Sequence, residues 1–199
     1  MTSQQQLLAR FSEPVPRYTS YPTAPHFHDG VDPTTARQWV AALGAGQTLS
    51  LYVHVPYCDR LCWFCACHTK HTLKYEPVAA YLESLKCEIE TMGQMVSPEV
   101  VVTGLHWGGG SPTMLKPEDM HRLMGWLRAA FTFAEDAEIS VEMDPNDLDE
   151  ARYDALAEIG VTRASLGVQD FDPKVQKTIN RLQTFEQTAE VIAAMRKRG

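Results

Sequence analysis

The sequence predicts an α/β fold built around a parallel sheet, and two observations carry that prediction. Runs in which apolar residues alternate at period two take turns with runs in which they recur at helical spacing. The residues best suited to chemistry fall repeatedly at the C-terminal ends of the strand-like runs, where parallel α/β folds assemble their sites. About four strand–helix units are expected over residues 48–199, preceded by an extension, 1–47, of irregular and short helical character.

The extension carries Pro14, Pro16, Pro22, Pro25 and Pro33. Proline withholds an N–H and biases the residue before it toward extended geometry. A short helix is expected from Pro33 to Leu43, capped by Asp32 and ended by Gly44 and Gly46. Leu49, Leu51, Val53 and Val55 then share one face of a first strand. Beyond a cysteine loop, Leu82, Leu85, Ile89 and Met92 form the apolar stripe of a helix over 76–93, in which Cys87 is expected as a buried, inert thiol. Val100 to Trp107 reads as the second strand and runs into Gly108, Gly109 and Gly110. Pro117 to Phe131 is a helix with Met120, Leu123, Met124 and Leu127 toward the core. Glu138 to Met143 is the third strand, Asp149 to Ile159 the third helix and Val161 to Val168 the fourth strand; helical runs cover 173–179 and 184–198. The alternation implies right-handed crossovers, which an open doubly wound sheet and a partial (β/α) barrel satisfy equally. Gly199 suits a helix C-cap and a fifth strand would come next, so the fold is expected to continue beyond this chain.

With 44% hydrophobic and 22% charged residues in 199, the composition is that of a globular domain with a true core. A formal net charge of −7 disfavours a nucleic acid as the main partner. No run approaches the roughly 20 apolar residues that span a bilayer. Met1 to Arg10 lacks the apolar centre of a secretory signal, so a cytoplasmic protein is expected.

Four of the five cysteines crowd into Cys58-Asp-Arg-Leu-Cys62-Trp-Phe-Cys65-Ala-Cys67. An odd count, crowded in a chain without an export signal, argues for metal or redox chemistry over disulfides. Three thiolates in one loop can hold three irons of a four-iron cluster and leave the fourth open to a ligand. A zinc site completed by His68 or His71 is the competing reading, although zinc loops usually carry two separated cysteine pairs. Trp63 and Phe64 inside the loop suit a cluster screened from water.

Cys58, Cys62 and Cys65 form CxxxCxxC, the signature of the radical S-adenosylmethionine superfamily. Around them, Leu51-Tyr52-Val53-His54-Val55-Pro56-Tyr57-Cys58, the added Cys67, the string from Pro16 to Ala24, His106-Trp107-Gly108-Gly109-Gly110-Ser111-Pro112-Thr113 and Gly167-Val168-Gln169-Asp170-Phe171 resemble the N-terminal portion of the oxygen-independent coproporphyrinogen III oxidases. The resemblance selects the partial barrel, with the rest of the barrel lying outside this chain. It implies that Cys58, Cys62 and Cys65 bind a [4Fe–4S] cluster. It assigns cofactor contacts to Tyr52, Phe64, Cys67, Gly109, Gly110, Ser111, Glu142, Gln169 and Arg181, around S-adenosylmethionine, of which the family uses two molecules. Ser111 stands where the family usually has threonine and keeps the hydroxyl.

The residues themselves allow plainer readings. Gly108 to Gly110 follow a strand and let a ligand approach the backbone, but a flexible turn needs glycine too. Glu142 lies on a strand face shared with Ser140 and Asp144, inward in a barrel and solvated otherwise. Arg181 alone reads as a surface arginine, and His54 and His106 could be structural.

The implied activity is oxidative decarboxylation of coproporphyrinogen III propionates to vinyl groups, giving protoporphyrinogen IX in haem biosynthesis, started by a 5′-deoxyadenosyl radical. The implied partners are a tetrapyrrole and a reduced donor such as a flavodoxin, for a monomer with no nucleic acid and no membrane span. The alternatives are a haem-trafficking relative, a haem-degrading relative, and a fragment inactive by itself.

Overall fold

The computed structural model describes residues 3–11 and 22–199, so most of the string from Pro16 to Ala24 lies outside the described residues. The chain divides into compact units Met1–Trp39 and Val40–Gly199. The first holds helix α1 (Ser3–Phe11), a 3-10 turn over Ala24–His26 and most of α2 (Pro33–Ala41). Asp32 caps α2 as expected, its carboxylate accepting from the Thr35 N–H at 2.7 Å.

The second unit runs β1 (Thr48–Val55), β2 (Tyr57–Cys58), β3 (Lys70–His71), α3 (Glu76–Met95), β4 (Val101–Gly109), α4 (Pro117–Ala130), β5 (Thr132–Met143), α5 (Glu150–Glu158), β6 (Arg163–Leu166), α6 (Pro173–Thr178) and α7 (Phe185–Arg196). Local chemistry starts the helices. Pro117 and Pro173 sit in first turns, and the side chains of Asp149, Asp172 and Thr184 accept the first free N–H groups of α5, α6 and α7.

Strands β1, β4, β5 and β6 form one parallel sheet in that order. Each new strand is added on the same side of the last. With right-handed crossovers, such a singly wound order puts every connecting helix on one face. A doubly wound sheet would reverse direction and cover both faces. The structure therefore resolves what periodicity leaves open, and the fold is a partial barrel.

The covered face makes the core. Val53, Val55, Leu105, Trp107, Ile139, Val141 and Met143 from the strands meet Val78, Leu82, Leu85 and Ile89 of α3, Met120, Leu123, Met124 and Leu127 of α4, and Leu156 of α5. The opposite face carries Tyr52, His106, Ser140 and Glu142.

Several expectations change. Cys87 is exposed, because the buried stripe of α3 runs through Val78, Leu82, Leu85 and Ile89 and position 87 turns away from it. Met92 is half-buried. β5 begins at Thr132, well before Glu138, and its pairing with β4 is interrupted between Phe133 and Glu138. β6 is shorter than expected. The two-residue pair β2–β3, too short to show periodicity, brackets the cysteine loop.

Candidate cofactor site

Parallel register sets the site row by row. Tyr52 of β1, His106 of β4 and Ser140 of β5 stand opposite one another. The Tyr52 and His106 rings stack at 5.7 Å between centroids and 15° between planes. His106 Nδ1 lies 2.7 Å from Ser140 Oγ, and its Nε2 lies 3.3 Å from Glu142 Oε1. One row on, His54 faces Gly108. His54 Nε2 is 2.9 Å from the His68 carbonyl, which only accepts, so Nε2 carries a proton and donates. In the neutral ring Nδ1 then accepts from the Tyr52 hydroxyl, 3.1 Å away.

Beyond these rows the strand ends open into a cavity of about 480 Å³. Its wall includes Cys58, Cys62 and Cys65, the three thiols of the motif. It also includes Phe64 and Cys67 of the same loop, Gly109, Gly110 and Ser111 after β4, and Glu142, Gln169 and Arg181. Tyr52 stands outside that wall, one row below it, and connects through the His106 ring. Segments far apart in sequence thus converge on one space.

The backbone explains the glycines at two positions. Gly109 has φ +113, and a Cβ there would meet the His54 ring at 2.6 Å. A Cβ on Gly110 would lie 2.5 Å from the Tyr57 carbonyl oxygen. Both residues are needed where the β4 end folds back on β1 and β2, and the Gly109 N–H reaches Glu142 Oε2 at 3.1 Å. The turn is therefore fixed.

The cysteine loop is tied at both ends. The Lys70 N–H donates to the Pro56 carbonyl and the Thr72 N–H to the Cys58 carbonyl, closing the β2–β3 bracket. At the loop's far side the Trp63 N–H donates to the Ile179 carbonyl at 3.0 Å, and the Asn180 amide to the Leu61 carbonyl at 2.8 Å. Trp63 and Phe64 line the cavity together with the thiols while remaining exposed themselves.

A charged network that sequence reasoning missed lies under the loop. Arg181, only 11% exposed, pairs with Asp144 at 3.1 Å, donates to the Gly167 carbonyl at 2.6 Å and comes within 3.8 Å of Cys62 Sγ. Arg60 pairs with Asp59 and lies 3.7 Å from Asp147, and the Ser111 hydroxyl donates to Asp147. Burial pushes Asp147 up to about 6, helped by Asp144 and Asp59, against the Ser111 hydrogen bond and Arg60, which pull it down. In the sequence Asp144 and Asp147 lie just after the third strand, with nothing there to show that the fold brings them to Arg181, Arg60 and Ser111.

The donor set fits an iron–sulfur cluster. Burial, then the proximity of Cys65 and Cys62, and then Asp147 and Asp144 push the Cys58 thiol up to about 12. Thiolates gathered this way repel one another, a repulsion that a cationic metal would relieve. Among the described residues no three His, Cys, Asp or Glu side chains converge as they would on a single ion. All three thiols line the one cavity, and a polynuclear cluster takes one thiolate per iron.

The sequence profile of the radical SAM superfamily matches residues 52–199. The oxygen-independent coproporphyrinogen III oxidase of Paracoccus denitrificans (strain Pd 1222) is 53% identical over 197 residues, covering 99% of this chain and 44% of the relative. The enzyme of the same name from Cereibacter sphaeroides is 47% identical over 192 residues, covering 96% of this chain and 43% of the relative. The solved structure of coproporphyrinogen III oxidase (HemN) from Escherichia coli, a radical SAM enzyme, superposes with a TM-score of 0.88 at 38% identity, covering 98% of this chain and 43% of that one. The chain thus spans less than half the length of the relatives it matches. With its cysteine motif at the mouth of a parallel partial barrel and the family profile over most of its length, the chain belongs to the radical SAM superfamily.

Proposed function

We propose that this chain forms the cofactor-binding part of an oxygen-independent coproporphyrinogen III oxidase. The observation that carries the reading is the single cavity at the strand ends. It gathers the three motif cysteines and all but one of the cofactor positions implied by the family. The similarity to relatives bearing that enzyme's name over nearly all of this chain supports the same substrate class, a tetrapyrrole with propionate side chains.

In this reading Cys58, Cys62 and Cys65 hold three irons of a [4Fe–4S] cluster. When bound, the cluster supplies the electron that cleaves S-adenosylmethionine and starts hydrogen abstraction from a propionate side chain. The chain's own residues bind and orient. Gly109 and Gly110 present bare backbone to the amino-acid end of the cofactor. Glu142, held by the Gly109 N–H and His106, offers its outer lone pairs to an ammonium group. With its proton given to Asp147, Ser111 Oγ is left as an acceptor. Arg181 fixes Asp144 beside Cys62. Phe64, Cys67 and Gln169 complete the wall and Tyr52 supports it from below.

The test is anaerobic reconstitution with iron and sulfide, then dithionite, S-adenosylmethionine and coproporphyrinogen III. The expected outcome is about four irons per chain and formation of 5′-deoxyadenosine, both abolished in Cys62→Ala. Stoichiometric zinc with no stable cluster would overturn the reading. A cluster-loaded chain that binds haem and leaves S-adenosylmethionine intact would replace it with a haem-trafficking role.

A further inference from the structure

Building on that reading of the cavity, we propose that His106 is a positioning residue: it holds the Glu142 carboxylate and the Tyr52 ring in place, and so sets how tightly the cavity binds S-adenosylmethionine without itself lining the wall. Glu142 lines the cavity. His106, on β4, sits one row deeper and touches both neighbouring strands, through the stacked ring of Tyr52 on β1 and through Ser140 Oγ at 2.7 Å and Glu142 Oε1 at 3.3 Å on β5.

Proton counting gives the ring a direction. The Ser140 hydroxyl has one proton and two acceptors in reach, His106 Nδ1 and the Leu105 carbonyl at 3.3 Å. If it goes to Nδ1, the neutral ring carries its proton on Nε2. If it goes to Leu105, the neutral ring must donate from Nδ1 to Ser140, and a bare Nε2 would set a lone pair against a carboxylate oxygen. The neutral arrangement free of that repulsion is the first, in which Ser140 donates to Nδ1 and an Nε2–H donates to Glu142.

The backbone is cut to fit the pair. A Cβ on Gly108 would lie 3.0 Å from Glu142 Cδ and 3.0 Å from His106 Nε2. The glycine leaves the gap across which the imidazole and carboxylate meet. Glu142 is then held from two sides, by His106 at Oε1 and by the Gly109 N–H at Oε2. A long, half-exposed glutamate would otherwise pay rotamer entropy each time it bound a ligand.

The experiment measures S-adenosylmethionine affinity of the anaerobically reconstituted chain by equilibrium dialysis, alongside iron and sulfide content. His106→Phe keeps a ring against Tyr52 and removes the donor. The expected result is binding weakened about tenfold, the scale of one hydrogen bond to a charged group, with cluster content unchanged. Combined with Glu142→Gln, it should add little to the loss from Glu142→Gln alone, because both act through one carboxylate. His106→Gln, which keeps an N–H in reach of Glu142, should stay within about threefold of the wild type. Equal binding by His106→Phe, losses that multiply in the double variant, or a tenfold loss in His106→Gln would each overturn the role. A wild-type chain that loads its cluster and binds no S-adenosylmethionine would overturn both this role and the reading it rests on.

Discussion

Asp147 carries a carboxylate that the fold prefers protonated. It is almost fully enclosed, and burial outweighs the Ser111 hydrogen bond and the more distant Arg60, raising it from 3.8 to about 6. A carboxyl whose folded value lies above its unfolded value binds its proton more tightly in the native state. Its contribution is therefore fully present below about pH 4 and is lost as the pH rises through about 6. Asp147→Asn has no proton to lose. Its unfolding free energy from urea titration should match the wild type near pH 4 and pull ahead by pH 7, by at most about 3 kcal/mol; parallel curves across that range would refute this account. Much at the residue scale was legible: CxxxCxxC located the thiols, and the glycines after β4 announced a close backbone approach. Asp147 was hidden because its state depends on Ser111, Arg60 and Asp144, brought to it only by the fold. Cys87 was misplaced because being in a helix does not say which way a residue turns.

At the scale of elements, the cysteine loop illustrates how a segment without regular structure is held. β2 and β3 pin its ends, and the connection between α6 and α7 pins its middle. Asn180 suits that task twice over. Its φ of 57 puts it in the left-handed region that asparagine tolerates, and its amide reaches the Leu61 carbonyl. Asn180→Gly keeps the backbone conformation and removes the tie. The loop should then open more often, and tryptic cleavage after Arg60 should accelerate about fivefold, the equivalent of one modest hydrogen bond. An unchanged cleavage rate would show that the Trp63–Ile179 bond alone suffices. The tie to the connection between α6 and α7 was not legible, because it links residues more than a hundred positions apart through a backbone carbonyl that any residue could supply. The strands and helices themselves were legible, since period two and period 3.6 are written locally.

For the whole molecule, the singly wound order gives the four strands unequal protection. β4 lies between β1 and β5, and its Leu105 and Trp107 are buried against α3 and α4. β6 pairs only with β5 among the described residues, is four residues long, and leaves Arg163, Ala164 and Ser165 exposed. Opening β4 requires breaking two ladders and uncovering the core, whereas β6 can leave after one short ladder and the Thr162–Ile139 contacts. Local opening free energies range from near zero up to the global value along just such a gradient. Hydrogen exchange followed by mass spectrometry should show amides of 163–166 exchanging at least about a hundredfold faster than those of 104–107. Gln169 and Arg181 reach the cavity from beyond β6, while Glu142 and the glycines reach it from β4 and β5. The same gradient therefore divides the site into a firm wall and a yielding one. Equal protection across the sheet would mean that β6 is covered by a further strand or a second copy of the chain, and that the cavity is rigid on both sides.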